Sequence, residues 1–260
     1  MNGVRRADLH VHSSFSDGEE GVEGILHLAR AAGVECVAVT DHFDPFDPSW
    51  RHLSEEALCA HLERIREAAA ALPELRVLCG IETCTDFAGR LRVSDRVRRA
   101  CDLIITSPHY VEYDGELAPG NHFDERYWNR YKEKVLHMAG GEGDILGHCE
   151  GYLPYGKLLA PGSTTYEERQ ELARRIADRY FDAAYLKDLA AALKASGKAA
   201  ELHCATRTPR IRVIDAFVAA GVNLSAGSDA HRGDAVGRID WAMRVIGERS
   251  AWPLLVRWQR

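Results

Sequence analysis

Length, composition and charge already exclude several classes of protein. With 260 residues, 46% of them hydrophobic, the chain can form one large α/β domain or two small ones around a full apolar core. Its formal net charge of −6 argues against nucleic acid as the main partner, because a phosphate backbone is bound by a clustered basic surface. The first residues contain no apolar run of a secretory signal, and no stretch approaches the roughly 20 apolar residues of a membrane-spanning helix. Seven cysteines without a CxxC spacing indicate a reduced, cytoplasmic protein.

Short apolar runs alternate with longer amphipathic segments along the chain, which is the pattern of repeated β–α units. Strands are predicted over residues 4–10, 35–40, 76–81, 102–107, 144–148, 198–203 and 222–228. Helices are predicted over residues 20–32, 55–72, 94–100, 123–138, 165–195, 210–220 and 238–248, the fifth with a break near 181–184. Ser54 is the expected N-cap of the second helix, and Gly33 ends the first.

Seven β–α units without a change in composition predict one parallel sheet in a single domain over residues 1–260. So many units in one chain favour a barrel of seven strands, one short of the usual eight. A doubly wound open sheet is the alternative, but the glycine-rich turn that binds dinucleotides is missing after the first strand.

The first strand ends on Asp8, His10 and His12. Because alternate residues of a strand point to one side, these three side chains project together. Two imidazoles beside a carboxylate form a ligand set for a borderline metal ion, although such a pair taken alone can also be structural.

The other strand ends repeat these residue types. The carboxyl ends of barrel strands form the active-site face. Six of the seven predicted strands end on a histidine or an acid, which chance does not explain, and these ends hold His10, His12, Asp41, His42, Glu82, His109, His148, Asp229 and His231. Asp17, in the turn after the first strand, can fold back over the same face. The sequence therefore predicts a multinuclear metal site.

The chain resembles the PHP (polymerase and histidinol phosphatase) superfamily, and within it the histidinol-phosphate phosphatase-like branch. The matching motifs follow the family order and are Asp8-Leu-His10-Val-His12, Ser16-Asp17-Gly18, Thr40-Asp41-His42, Gly80-Ile-Glu82, Pro108-His109, Gly147-His148 and Ser228-Asp229-Ala-His231. The resemblance implies a distorted, TIM-like (β/α)7 barrel that holds two to three divalent metal ions. It also implies the ligands, which are His10, His12, Glu82 and Asp229 for the first ion, Glu82, His109 and His148 for the second, and Asp17, His42 and His231 for the third.

Such a centre suits phosphate ester hydrolysis. A phosphate monoester is a dianion that repels hydroxide, and closely spaced divalent ions would neutralise it, ionise a bridging water and align the attack. Imidazoles and carboxylates suit zinc, manganese or iron, and the sequence does not choose among them. We expect Asp17, Asp41 or His42 to protonate the leaving oxygen, and Asp8 and Asp41 to orient metal-binding histidines.

The sixth strand departs from the family pattern. Relatives of the histidinol-phosphatase type often carry Glu-x-Asn there, whereas this chain has Glu201-Leu-His203. His203 is interpreted as a substrate contact, as a partner of a metal ligand, or as a packed histidine without a role. Arg207 and Arg210 follow it and are candidates for binding the substrate phosphate, with a solvated Arg210 as the alternative.

The loops after the fourth and fifth strands are long, and loops of this kind often carry specificity. His122, Tyr152 and Lys157 lie on them and are candidate substrate contacts. His27, His61 and His137 fall within predicted helices, away from the strand ends, and are expected on the surface.

The leading hypothesis is a metal-dependent phosphoesterase that hydrolyses L-histidinol phosphate to L-histidinol, in histidine biosynthesis, through a metal-bridged hydroxide. A cyclic phosphate, a sugar phosphate or a nucleotide is the alternative substrate, because the asparagine of the sixth strand is replaced. A catalytically silent module would have lost ligands, whereas all nine ligand positions hold competent residues. An amidohydrolase that cleaves a C–N bond would usually carry a lysine on a middle strand, where this chain has Glu82 and His109.

Overall fold

The computed structural model describes residues 6–159 and 165–256, and seven strands form its centre. The strands are β1 (Ala7–Val11), β2 (Cys36–His42), β3 (Arg76–Thr83), β4 (Leu103–Thr106), β5 (Ile145–Leu146), β6 (Ala199–His203) and β7 (Leu224–Gly227). The helices are α1 (Val22–Ala31), α2 (Glu55–Ala70), α3 (Asp95–Ala100), α4 (Glu125–Gly140), α5 (Tyr166–Tyr180), α6 (Ala183–Ser196), α7 (Ile211–Ala220) and α8 (Asp240–Glu248). Short 3₁₀ turns lie at Gly156–Leu158, Gly233–Ala235 and Trp252–Leu254.

The sheet follows chain order from β1 to β7, and every neighbouring pair of strands is parallel. The first and last strands meet through Val11 and Ala230, so the sheet is nearly closed. Two backbone hydrogen bonds hold this seam, from His12 N to Ala230 O (2.9 Å) and from Asp229 N to His10 O (2.8 Å). The prediction of a seven-stranded, TIM-like α/β barrel is confirmed, and its closing bonds lie among the motif residues.

Local sequence signals account for most helix ends. Ser54 caps α2 by accepting a hydrogen bond from Ala57 N, as predicted. The long predicted helix is two helices, because Phe181 leaves the helical conformation and Asp182 caps α6 by accepting from Tyr185 N. Gly197 ends α6 with a φ of 76°, which glycine adopts without strain.

The fifth strand is shorter than predicted. Only Ile145 and Leu146 are in the ladder, although the pattern predicts a strand over 144–148. His148 N donates to the carboxylate of Glu201 (2.7 Å) instead of to a strand carbonyl. A side chain of the neighbouring strand therefore ends β5 and turns His148 toward the centre of the barrel.

No helix among residues 6–159 and 165–256 is both long enough and apolar enough to cross a membrane. The helices instead pack one face on the barrel: in α1 the buried residues Val22, Ile25, Leu26 and Ala29 recur at helical spacing. Apolar clusters on both sides of the strands form the core.

A buried lysine holds the amino-terminal end of the barrel together. Lys198, which precedes β6, is 3% exposed. Its ammonium group donates to Thr106 Oγ1 (3.1 Å), Met138 O (2.6 Å) and Glu142 O (2.5 Å). The three N–H donors of the ammonium group are thus bound by three oxygen acceptors, one on β4, one on α4 and one in the turn after α4.

Replacing Lys198 with methionine should lower the free energy of unfolding by about 1–3 kcal/mol, because buried carbonyl oxygens lose their charged donor. Urea denaturation followed by circular dichroism measures the change. The matched control is Lys194→Met, because Lys194 makes one hydrogen bond, to Gly221 O, at an exposed position. Equal stability of the two variants would refute the structural role of Lys198.

Candidate metal centre

The carboxyl ends of the strands bring the predicted metal ligands into one cluster. Strands β1, β2 and β3 end near His10, His42 and Glu82, and the loops after them add further ligands. The nine residues of this cluster are His10, His12, Asp17, His42, Glu82, His109, His148, Asp229 and His231.

Glu82 lies at the centre of the cluster and is 1% exposed. Its Oε1 is 2.9 Å from His148 Nε2, 3.3 Å from His109 Nε2 and 3.5 Å from His10 Nε2. Its Oε2 is 2.9 Å from His42 Nδ1. One carboxylate thus contacts imidazoles carried by four different strands or strand ends.

A second carboxylate completes the buried side of the cluster. Asp229 Oδ1 is 3.0 Å from His12 Nε2 and 3.4 Å from His10 Nε2, and the two imidazole nitrogens are 3.1 Å apart. Two ligands about 2.1 Å from one tetrahedral ion lie about 3.4 Å from each other. The spacing of these groups, with Glu82, is that of ligands around a common cation.

Unpaired polar atoms support the same conclusion. Among the described residues, Glu82 Oε2, His42 Nδ1, His109 Nε2 and Asp229 Oδ1 are buried and have no hydrogen-bond partner. His42 Nδ1 and Glu82 Oε2 are close, but their arrangement is not that of a hydrogen bond. Buried polar atoms are rarely left unpaired, so these residues fit a bound cation that they face together.

A third group of candidate metal ligands lies on the solvent-exposed side of the cluster, called the open side below. Asp17 Oδ2 is 3.2 Å from His231 Nε2 and 3.7 Å from His42 Nε2, and Asp17 Oδ1 is 3.9 Å from His12 Nδ1. The side chains of Asp17 and His231 are 39% and 34% exposed. His12 and His42 therefore each lie between two donor groups, an overlap that the family resemblance does not predict.

The pKa values of the two central carboxylates, Glu82 and Asp229, are both lowered. Burial opposes the ionisation of Glu82, but the neighbouring His109, His10 and His42 outweigh it and hold the pKa of Glu82 well below its ordinary value. Burial is also outweighed at Asp229, whose pKa is held low first by the charge of His10. The cluster therefore offers two negative charges to a cation.

Glu201 orients two of the imidazoles. Its Oε1 is 2.7 Å from His10 Nδ1, and its Oε2 accepts from the backbone nitrogen of His148. A neutral His10 with its single proton on Nδ1, donated to Glu201, would present the lone pair of Nε2 to a metal ion.

His203 has an equivalent role toward Asp229. Its Nε2 is 2.9 Å from Asp229 Oδ2 and its Nδ1 is 2.6 Å from Thr206 Oγ1, and the residue is fully buried. Both ring nitrogens are bonded to protein groups. The structure thus favours a partner of a candidate ligand over a substrate contact.

Asp8 and Asp41 are placed differently from the expectation that they orient metal-binding histidines. Asp8 accepts from Ser228 N, Ser228 Oγ and Gly237 N, so it fixes the loop after β7. Asp41 accepts from Ser13 and from His61. In the described structure, neither acid forms a hydrogen bond with an imidazole of the cluster. Instead, both hold the loops that carry candidate ligands.

The residues predicted to contact the substrate lie in different environments in the structure. Arg210 is bound by Glu150 (2.6 Å) and Asp178 (2.5 Å), which leaves it unavailable to a phosphate. Arg207 is exposed, and its side chain makes no hydrogen bond or ion pair to other described residues. His122 lines a surface groove beside α5.

Lys157 lies in the 3₁₀ turn Gly156–Leu158, and its side chain is outside the described part of the structure.

Two aromatic residues border the cluster. Trp50, after β2, stacks on His42 with ring centroids 4.5 Å apart. Tyr152, after β5, meets His148 and His203 edge to face at 5.6 and 5.2 Å. Trp50 was not predicted, because nothing in its local sequence distinguishes it from other loop aromatics.

Comparison with known proteins gives one family. The PHP domain family model matches residues 8–193. The DNA polymerase/3′-5′ exonuclease PolX of Bacillus subtilis (strain 168) is 25% identical over 150 residues, which are 58% of this chain. These residues are 26% of that relative, so the chain spans about a quarter of its length.

Solved structures share the fold. The structure of histidinol phosphate phosphatase from Lactococcus lactis subsp. lactis Il1403, complexed with zinc, L-histidinol and phosphate, superposes with a TM-score of 0.67 at 21% identity, over 95% of this chain and 94% of that one. A Listeria monocytogenes protein assigned as a histidinol phosphatase gives 0.62 at 12% identity, over 89% and 97%. At these identities the likeness shows the fold.

Replacing Glu82 with alanine should remove at least two metal ions per chain, because its carboxylate belongs to two candidate ligand groups, one with His10 and His12 and one with His42 and His109. Metal content measured by plasma mass spectrometry after dialysis tests this expectation. Glu142→Ala is the matched control, because Glu142 accepts from Leu91 N and Arg98 at the other end of the barrel. Unchanged metal content in a folded Glu82→Ala protein would contradict the central position of Glu82.

Proposed function

The chain belongs to the PHP domain family, and from this we propose that it is a metal-dependent phosphoesterase acting on a small phosphate ester, with L-histidinol phosphate as the leading substrate. The observation that carries the proposal is the set of overlapping donor groups around the two oxygens of Glu82. A non-catalytic domain would have no need for so many buried, unpaired donors.

We assign the donors to ions as follows. The first ion would be held by His10, His12, Glu82 and Asp229, the second by Glu82, His109 and His148, and the third by Asp17, His42 and His231. When bound, divalent zinc, manganese or iron would neutralise the phosphate dianion and lower the pKa of water toward neutrality.

The chain's own acids take different parts in this proposal. Asp41 accepts hydrogen bonds from Ser13, Ser16 and His61 and is 1% exposed, so it is assigned to support rather than to proton transfer. Asp17 is the candidate acid on the open side, at 39% side-chain exposure. Burial would raise the pKa of Asp17, but the neighbouring His231 and His42 outweigh it and hold that pKa below its ordinary value. An ionised Asp17, which the third ion would also need, accepts rather than supplies a proton, so we assign to it, in preference to the more enclosed His42, the orientation of a water that would protonate the leaving oxygen.

The rim of the cluster favours a flat leaving group. Trp50 and Tyr152 lie on the loops after β2 and β5 and border different histidines of the cluster, His42 and His148. Aromatic rings stack well on planar groups, and an imidazole is one such group. This arrangement, and the histidinol named with the Lactococcus structure, support histidinol phosphate over a sugar phosphate.

Arg207 is proposed to bind the substrate's charged groups. It follows His203 on the loop after β6, and its backbone φ of 54° is unusual for a residue other than glycine. An exposed guanidinium without a carboxylate partner can still form two hydrogen bonds with a phosphate. Arg210, in contrast, is already neutralised by two acids.

Loaded with manganese or zinc, the protein should hydrolyse L-histidinol phosphate with a kcat/KM above roughly 10⁴ M⁻¹s⁻¹, within the usual range for enzymes. Phosphate release is compared with that from an aryl phosphate, a sugar phosphate and a cyclic nucleotide, with a short single-stranded DNA as the nucleic-acid arm. Slow turnover of L-histidinol phosphate with faster turnover of another ester would keep the phosphoesterase and discard the substrate. No turnover in any arm by metal-loaded protein would refute the activity.

Replacing Arg207 with alanine should raise the KM for the preferred ester by about 10-fold or more and leave the melting temperature unchanged, because a charge-assisted pair contributes about 1.5–3 kcal/mol. Steady-state kinetics and thermal unfolding test both parts. Arg238→Ala is the matched control, since Arg238 is an exposed arginine paired with Asp234. Equal KM values in the two variants would remove Arg207 from the substrate site.

A further inference from the structure

We propose that His61, on α2, is a positioning residue for the cation assigned to Asp17, His42 and His231. It acts through Asp41 and through the turn of residues 13–18. This inference rests on the metal centre proposed above. It concerns a histidine that belongs to none of the family motifs and that sequence analysis places on the surface.

His61 is enclosed rather than exposed. Its side chain is 9% exposed, and its Nε2 is 2.8 Å from Asp41 Oδ2. Its ring lies flat on Phe15, with centroids 4.3 Å apart and an angle of 8° between the planes. The imidazole therefore has a fixed orientation, and it holds the carboxylate next to His42 in the chain.

Asp41 links His61 to the turn. Its Oδ1 accepts from Ser13 N (2.8 Å) and Ser16 Oγ (2.7 Å), and its Oδ2 accepts from Ser13 Oγ (2.8 Å) and His61. Four donors saturate this buried carboxylate. Without His61, Oδ2 would keep one donor, and the cost of a buried, underbonded charge would favour movement of the carboxylate.

The turn places Asp17, which has little support of its own. Gly18 N donates to Ser13 O (2.9 Å), and a side chain at Gly18 would collide with the carbonyl oxygen of His12. Asp17 is exposed, and its neighbours within the described residues are Ser16 and histidines of the cluster. Its position therefore depends on the Ser13 and Ser16 bonds to Asp41.

The effect should be largest for one ion. His10 is held by Glu201, and Asp229 by His203, from the other side of the barrel. Neither bond involves α2 or the turn of residues 13–18. Loss of His61 should therefore weaken mainly the group of Asp17, His42 and His231, while Glu201 and His203 still hold His10 and Asp229 in place.

The test is calorimetric titration of manganese ions into metal-free wild type, His61→Ala, His61→Gln and Asp17→Ala. We expect His61→Ala to weaken by about 10-fold the same binding event that Asp17→Ala abolishes, which is the lower end of the effect of removing a direct partner of a metal ligand, because His61 acts through Asp41 and the turn. His61→Gln should recover much of the affinity, because its amide can donate to Asp41. His27→Ala is the matched control, since His27 is an exposed histidine on the neighbouring helix.

The outcomes separate this inference from the proposed function. A wild-type protein that binds no manganese, zinc or iron would refute the metal centre itself. Binding by wild type with an unchanged His61→Ala isotherm, or with all ions weakened equally, would overturn the role of His61 alone. A lower melting temperature without a change in binding would also overturn it, because that is a purely structural effect. If His61→Ala does not fold, His61→Gln and Ser16→Ala decide the question by the same titration.

Discussion

The arrangement depends on one buried carboxylate surrounded by imidazoles. Glu82 lies near the end of β3, which pairs over its length with β2 and over its last four residues with β4. An ionised carboxylate can be buried only where positive charge or donors compensate it. The imidazoles around Glu82 come from several strand ends. The ionised form of Glu82 is therefore stabilised only when the carboxyl ends of these strands lie together. The nearly closed sheet and the charged centre thus stabilise each other.

Acidic and polar side chains outside the cluster fix the orientation of the candidate metal ligands. Glu201 holds His10 and the backbone at His148, and Asp8 holds the loop before His231. His203 stands where related phosphatases often carry asparagine, and it bonds Asp229. The replacement keeps a hydrogen-bond donor at this position. His203 on β6 therefore supplies a hydrogen-bond partner for Asp229, one of the two central carboxylates.

The sequence was sufficient to predict the strands and helices and the cluster of candidate metal ligands, because both follow from local sequence patterns and from the geometry of a parallel sheet. Periodicity predicts strands and helices, and the parallel sheet places all strand ends at one edge, so His42 and His148 meet although they are far apart in sequence. Residues that depend on how separate loops pack were not predictable. His61 meets Asp41 from a helix, and Arg210 is neutralised by Glu150 sixty positions away. Neither partner can be recognised from local composition.

The division between rigid strand ends and loops separates chemistry from specificity. In the proposed function the buried donors would bind the phosphate rather than the leaving group, so they would suit any phosphate ester. Trp50 and Tyr152, which border the cluster, and the exposed Arg207 come from three different loops. Among the described residues, none of these three side chains makes a hydrogen bond or ion pair with the nine residues of the cluster. Preference among esters should therefore respond to changes in the loops while metal binding stays constant, which is how one metal centre can serve different substrates on the same barrel.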